Sequence, residues 1–236
     1  PTGLSASTPQ FTFFGNSVYD ASAIPTRAKW GIAIHDSHYG LLEKNVVYNM
    51  GGSGFMFEDG SETRNVLQNN FALYIAGEGG NNTEENQNSR ACEGFAFYFR
   101  GPNNFVRNNV AANIVELSGP EAAYGYKFNF RYLGNLRIPN FKGADTSDNS
   151  QVTVQYGNAM PLLEMTGNEV YAGIQGLTTW WLCTTDTHPE ECGVSTVRDM
   201  KMWNISRYTY YSYPVNNITF DGLVIRNDWN LIQSSC

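Results

Sequence analysis

Positive charge is scarce in this sequence. Lys and Arg number 15 against 22 Asp and Glu, which leaves a net charge of −7 over 236 residues. An acidic surface repels phosphate backbones, so nucleic acid is excluded as the expected partner. Long apolar runs are missing as well. None approaches the roughly 18 residues that a membrane-spanning helix needs, so no membrane insertion is expected within the chain. A leader is also missing, and the chain opens at Pro1 rather than Met. This predicts either a processed chain or a fragment of a larger protein. Cysteine is limited to Cys92, Cys183, Cys192 and Cys236. Their spacing, with no second histidine close by, does not make a zinc site. Cys183 and Cys192 instead bracket a short polar loop, 184–191, that a disulfide would close in an oxidising compartment.

What is abundant points the other way, towards strands and turns. Aromatic residues make up 14% of the chain, glycine contributes 23 residues, and asparagine about a tenth. Aromatic and β-branched side chains favour strands, while Asn and Gly favour tight turns and left-handed backbone. An all-β protein is expected, and the length suits residues 1–236 as a single domain. The triplets at Asn81, Asn204 and Asn217 permit N-glycosylation.

Repetition sharpens the fold class. The pattern Asn-Val-x-x-Asn occurs at Asn45–Asn49, Asn65–Asn69 and Asn109–Asn113. A second pattern, Gly followed by an alternating apolar strand, occurs at Gly31–Ile34, Gly54–Phe57, Gly94–Phe97 and Gly125–Phe128, with Gly222–Ile225 as a further instance. The twenty-residue step from Asn45 to Asn65 is about one coil of a solenoid. A β-sandwich also has short strands and frequent turns, but it does not predict the same short motif returning at coil spacing. The expectation is a right-handed parallel β-helix, a pectate-lyase-like solenoid, with inserted loops at 77–90, 133–157 and 183–192. Asn would form ladders between coils, and Phe55, Phe57, Phe95 and Phe97 would stack inside. In this alignment Ala33, Met56, Ala96 and Lys127 face outward.

Stacked coils bring distant residues to one face. The residues just past each Gly-strand are His35 and Asp36, then Glu58 and Asp59, then Arg100 and Arg131. Paired carboxyl groups serve as acid and base in glycoside hydrolysis. Arginine grips a uronate carboxylate through its planar fork. The competing reading is structural: Glu58, Asp59 and Glu62 cap turns, and Arg64 or Arg100 pairs with them. His35-Asp36-Ser37-His38 is also a metal-binding pattern, but such a pair on a turn more often faces solvent. No metal or cofactor is expected, with calcium on Asp36, Glu58 or Asp59 as the alternative. Trp180, Trp181 and the run Tyr208, Tyr210, Tyr211, Tyr213 are of the type that stacks on sugar rings or divides between core and surface.

These segments also carry a resemblance. His35-Asp36-Ser37, Asn45-Val46-Val47-Tyr48-Asn49, Gly54-Phe55-Met56-Phe57-Glu58-Asp59-Gly60-Ser61-Glu62 and Asn65-Val66-Leu67-Gln68-Asn69 resemble the β-helix region of G8-domain proteins. That group includes the cell-migration-inducing hyaluronan-binding protein, its transmembrane relative and the fibrocystins. The stretch Gly101–Ala111 is similar too, so the resemblance spans about Gly31 to Ala112. One departure stands out: many relatives carry His before the aromatic strand, where this chain has Gly52-Ser53-Gly54. The G8 domain itself is not evident. The resemblance implies a β-helix in an extracellular setting, with hyaluronan or a similar glycan as ligand.

The expectation is therefore a secreted or cell-surface polysaccharide-degrading enzyme, a glycoside hydrolase acting on an anionic glycan such as hyaluronan. Glu58, Asp59, Asp36 and His35 are its expected catalytic groups. Arg100, Arg64, Glu62, Lys127 and Arg131 are expected to hold substrate. A polysaccharide lyase is the second chemistry, and a non-catalytic glycan-binding or adhesive module is the alternative function.

Overall fold

A computed structural model describes residues 8–22, 29–77, 93–116, 123–130, 134–184 and 192–228. The chain winds through three parallel sheets in turn. The first coil holds β1 (Thr12–Phe14), β2 (Ser17–Tyr19) and β3 (Trp30–Ile34). The second holds β4 (Leu41–Glu43), β5 (Val46–Tyr48) and β6 (Ser53–Phe57). The third holds β7 (Val66–Gln68), β8 (Phe71–Leu73), the short β9 (Ala76–Gly77) and β10 (Phe95–Phe99). The fourth holds β11 (Phe105–Arg107), β12 (Val110–Glu116) and β13 (Tyr124–Asn129). A hairpin of β14 (Asn135–Pro139) and β15 (Val152–Tyr156) follows. The fifth coil is β16 (Glu164–Thr166) and the long β17 (Glu169–Leu182). The sixth is β18 (Ser195–Arg198) and β19 (Lys201–Val215), and the last is β20 (Ile218–Asp221) and β21 (Val224–Arg226).

The first sheet stacks β1, β4, β7, β11, β16, β18 and β20 in that order. The second stacks β2, β5, β8, β12 and the leading halves of β17 and β19, with β21 last. The third stacks β3, β6, β10, β13 and the trailing halves of β17 and β19. Every pairing in these sheets is parallel; the only antiparallel pair among the described residues is β14 with β15. This is a parallel β-helix. The excursion expected at 133–157 carries that hairpin. Residues 78–90 and 185–191, expected as loops, lie outside the described residues. A disulfide joins Cys183 to Cys192.

Aromatic stacking fills the interior. Phe55, Phe97 and Tyr126 stack at centroid distances of 5.0 and 4.7 Å, and Phe57, Phe99 and Phe128 at 5.2 and 4.7 Å. All six are fully buried. Burying each ring contributes about 1.5–3 kcal/mol, and a stacked pair roughly 0.5–1.5 kcal/mol more. The repeated glycine has a steric cause. At Gly54 a Cβ would lie 2.7 Å from the Ala96 carbonyl oxygen, at Gly125 2.6 Å from Val170, and at Gly176 2.5 Å from the Met202 sulfur. Gly31 meets Val47 in the same way. At this corner two successive residues face inward, and only a small residue fits the first place.

Two expectations about register are corrected. Phe55 pairs with Phe97, not Phe95. The equivalent of Gly54 is therefore Ala96, which faces the core. Gly94 answers a different steric demand. Its φ is +81°, and a Cβ there would lie within 2.8 Å of the Gly77 backbone. Phe95 consequently lies outside the main core, in a second buried cluster with Met56, Tyr98 and Tyr124. The coil length is also different. Asn45 hydrogen-bonds to Asn70, 25 residues on, rather than to Asn65. Asn45 leads into the second sheet and Asn65 into the first, so the twenty-residue step joins two different corners.

The asparagine ladder runs through the first five coils. In Asn45, Asn70 and Asn109, the backbone N–H and Nδ2 both donate to Oδ1 of the ladder Asn one coil on. Nδ2 also donates to a backbone carbonyl: Asn45 to Phe13, Asn70 to Leu42, Asn109 to Leu67, and Asn168 to Val106. The residue before each ladder position takes the left-handed turn, at Gly15, Lys44, Asn69, Asn108 and Gly167. Tyr126 ties the aromatic stack to the ladder, donating its hydroxyl to the Asn109 carbonyl at 2.7 Å. Complete burial pushes that hydroxyl well above the usual tyrosine pKa.

Candidate functional site

Each third-sheet strand ends by turning back towards the first sheet, and the polar residues gather at that turn. His35 follows β3 and Glu58 follows β6, and the two are adjacent because the Glu58 N–H donates to the Ile34 carbonyl. The imidazole lies between two carboxylates. His35 Nε2 is 3.1 Å from Glu58 Oε2, and Nδ1 is 3.4 Å from Asp59 Oδ2. The exposures differ: side chains of His35 and Asp59 are 51% and 42% exposed, that of Glu58 only 10%. Arg100 follows β10 one coil further on and donates from Nη1 to the Glu58 carbonyl at 3.3 Å. His35, Asp36, Glu58, Asp59 and Arg100 are thus brought together.

Beneath them the backbone is held by Glu62. Its carboxylate accepts from the N–H groups of Asp59 (2.8 Å), Gly60 (2.7 Å) and Asp36 (3.3 Å). Glu62 is fully buried. Burial pushes its carboxyl up to about 7, against the opposing pull of these amide donors. These partners are backbone groups, so Glu62 braces the two acidic turns instead of reaching outward. The Asp36 N–H also donates to Asp59 Oδ2 at 3.0 Å, and Asp36 Oδ1 accepts from the Ser61 hydroxyl. His38 is buried under Asp36, its Nδ1 accepting from the Thr63 N–H. Burial lowers its pKa, with Asp36 acting in the opposite direction. No group of three or more potential metal ligands among the described residues is placed to hold an ion.

The remaining candidates separate. Lys127 faces outward as its period predicts, but its ammonium does not reach solvent. It pairs with Glu93 at 3.3 Å and sits 4.5 Å over Tyr124 and 5.7 Å from Trp180. It is 4% exposed, so its charge is satisfied within an aromatic enclosure and not offered to a ligand. Arg64 turns around the corner and lines a cleft over the first sheet with Arg107 and Lys142. Arg131 lies outside the described residues.

Sequence reasoning follows the row from Glu58 to Arg100 and misses its continuation through Asn129. Phe57 pairs with Phe99 and Phe99 with Phe128, so Arg100 lies opposite Glu58 and Asn129 opposite Arg100. Asn129 pairs with Trp180, and Trp180 with Tyr213. One strip along the solenoid thus reads His35, Glu58, Arg100, Asn129, Trp180, Tyr213. Trp180 stands 5.8 Å from the Tyr211 ring and 5.6 Å from that of Tyr213, and Tyr208 flanks Tyr211 at 5.3 Å. Tyr210 faces the other way, hydrogen-bonding Thr179 and packing on Phe220. A signal for the row exists in the sequence: extending each outward period by two residues, in the corrected register, finds Asn129.

Known proteins share part of this chain. Fibrocystin-L of Mus musculus is 33% identical over 98 residues, covering 42% of this chain and 2% of that protein. Fibrocystin-L of Homo sapiens is 31% identical over 98 residues, with the same coverage. The chain thus matches only a small part of these much longer relatives. No solved structure matches. No helix among the described residues is long and apolar enough to cross a membrane. The family model described as CEMIP beta-helix matches residues 6–177, well over half of the chain, and the protein belongs to that family.

Proposed function

We propose that this β-helix is an extracellular glycan-processing module that takes an anionic polysaccharide at the turn ending its third sheet and hydrolyses it beside His35. One observation carries the reading: an imidazole bridging two carboxylates stands at the head of a strip that ends in Trp180 and Tyr213. Five coil rises of about 4.8 Å set Tyr213 about 24 Å from His35, with Asn129 buried between the acid cluster and the aromatic end. Glycoside hydrolysis needs one carboxyl group to protonate the leaving oxygen and another to act as base or nucleophile. Both carboxylates contact one ring, so their facing oxygens are within about 9 Å, inside the range that such pairs span. The enclosed Glu58 suits the proton donor, the exposed Asp59 the group facing water or the sugar, and His35 passes a proton between them. Arg100 supplies a fork for a uronate carboxylate. Trp180, Tyr211 and Tyr213 supply flat faces for sugar rings. The Cys183–Cys192 disulfide suits an oxidising compartment.

A second reading, a glycan-binding module without turnover, is favoured by the low exposure of Glu58. Reducing-end release over a panel of anionic and neutral polysaccharides separates the two. The enzyme reading expects release from an anionic member, with Trp180→Ala weakening KM more than kcat. Binding without release assigns the second reading, and neither binding nor release would remove both.

A further inference from the structure

The outer face of the first sheet carries a cleft that the third-sheet strip does not use. Its volume is about 310 Å³, at the small end for ligand sites. Three cations line it, Arg64, Arg107 and Lys142, and no carboxylate among the described residues does. In a chain of net charge −7 that is a local reversal of sign. The cations come from separate parts of the chain. Arg64 sits at the turn into β7 in the left-handed conformation, φ 56°. Arg107 ends β11 and is held by a two-point pair with Glu164, Nε to Oε1 at 2.8 Å and Nη2 to Oε2 at 2.5 Å. Lys142 arrives on the β14–β15 hairpin. Gln10 fixes that hairpin: with its amide oriented to satisfy both partners, its nitrogen donates to the His38 carbonyl (2.7 Å) and its oxygen accepts from the Gly143 N–H (2.8 Å).

We propose that this cleft is a second binding site, for the charged group of an acidic saccharide. The charge follows from the lining. Arg107 is neutralised by Glu164 and serves to shape the wall. Arg64 offers a planar fork for a carboxylate or a sulfate, and Lys142 lines the same space from the hairpin. The saccharide character follows from the rest of the lining. Tyr39, Gln68 and Thr8 place hydroxyl and amide groups around the same space. These suit a hydroxyl-rich ring better than a bare ion. The site is independent of the acid cluster, since no residue of the His35 strip lines it.

Calorimetric titration tests this with four probes: a glucuronate-containing tetrasaccharide, a sulfated tetrasaccharide, a neutral tetrasaccharide and inorganic sulfate. Wild type is compared with Arg64→Gln/Lys142→Gln and with Glu58→Gln/Trp180→Ala. The proposal expects at least one acidic saccharide to bind, and the Arg64/Lys142 variant to lose that site or bind about tenfold more weakly at an unchanged melting temperature. The same site should persist in the Glu58/Trp180 variant. Preference for the uronate or the sulfated probe identifies which charged group the fork takes. Unaltered binding in the Arg64/Lys142 variant overturns the proposal, as does equal binding of the neutral saccharide. Inorganic sulfate binding as tightly as the saccharides overturns the saccharide assignment. Loss of acidic-saccharide binding in the Glu58/Trp180 variant alone would assign all binding to the third-sheet strip and remove this site.

Discussion

Where the first sheet turns into the second, the chain places Asn16, Asn45, Asn70, Asn109 and Asn168 in one column. Where the third sheet turns into the first, successive coils place His35-Asp36-Ser37-His38, then Glu58-Asp59-Gly60-Ser61-Glu62-Thr63, then Arg100-Gly101-Pro102-Asn103. The first corner repeats one side chain, and each copy satisfies the next through identical bonds. The second corner repeats nothing in its outer part, and each group there depends on particular partners. Below it, a shorter ladder of the first kind returns, with Oδ1 of Asn65 accepting from Gly40 and Oδ1 of Asn104 from Asn65. Repetition is what a solenoid needs for stability, because each coil can bury its face only on the next. A corner that abandons it gives up that mutual support. Here the loss is offset by Glu62, a buried carboxyl that ties three backbone amides.

The largest expected effect lies in the repeating corner. Asn109→Ala removes the acceptor of two Asn70 donors and the donor to the Leu67 carbonyl, all buried. At roughly 1–3 kcal/mol for each buried group left unsatisfied, the loss should be about 4 kcal/mol. Chemical denaturation measures it, and a loss under about 1 kcal/mol would mean that the ladder contributes little.

Next comes the brace of the non-repeating corner. A carboxyl whose folded pKa stands at about 7, above its ordinary 4.5, binds its proton more tightly folded than unfolded. Its contribution is therefore complete below about pH 4.5 and declines as pH rises to about 7, by an amount on the order of 3 kcal/mol. Glu62→Gln should flatten that part of the stability profile. Melting curves taken from pH 4 to 8 decide it, and an unchanged slope in the variant would locate the pH dependence elsewhere.

A smaller effect belongs to the corner glycines. Gly54→Ala forces a methyl against the Ala96 carbonyl and should cost about 2 kcal/mol. Gly134 has nothing within 4 Å of a built Cβ, and Gly134→Ala should be close to neutral. Equal melting temperatures for the two variants would contradict the steric account of the Gly repeat.

The two corners also differ in how legible they are. The ladder and the aromatic stack announce themselves as returning residue types, so period alone turns Phe55, Phe57, Phe97 and Phe128 inward. Their register is harder to read. Asn leads into the first sheet at Asn65 and into the second at Asn70, which shortens the apparent coil. At the third coil the small corner residue is Ala96, while the nearby Gly94 serves a left-handed turn. In the non-repeating corner, period two brings His35, Glu58 and Arg100 to one face. It cannot tell an offered charge from a satisfied one. Lys127 depends on Glu93 and Tyr124, and Glu62 on three amides, and neither set of partners follows from spacing. Spacing alone also does not show that Arg64, in a left-handed turn, lines the cleft over the first sheet.

On the proposed function, the His35–Glu58–Asp59 corner departs from repetition in order to do chemistry. Glu58→Gln and Asp59→Asn keep the shape of each side chain and remove its ability to exchange a proton. Assayed on whichever anionic polysaccharide wild type cleaves, each variant should lose roughly 10²–10⁴-fold in kcat with its melting temperature held. Full turnover in both variants, or a lowered melting temperature with turnover intact, would show that the corner is structural and contradict the account.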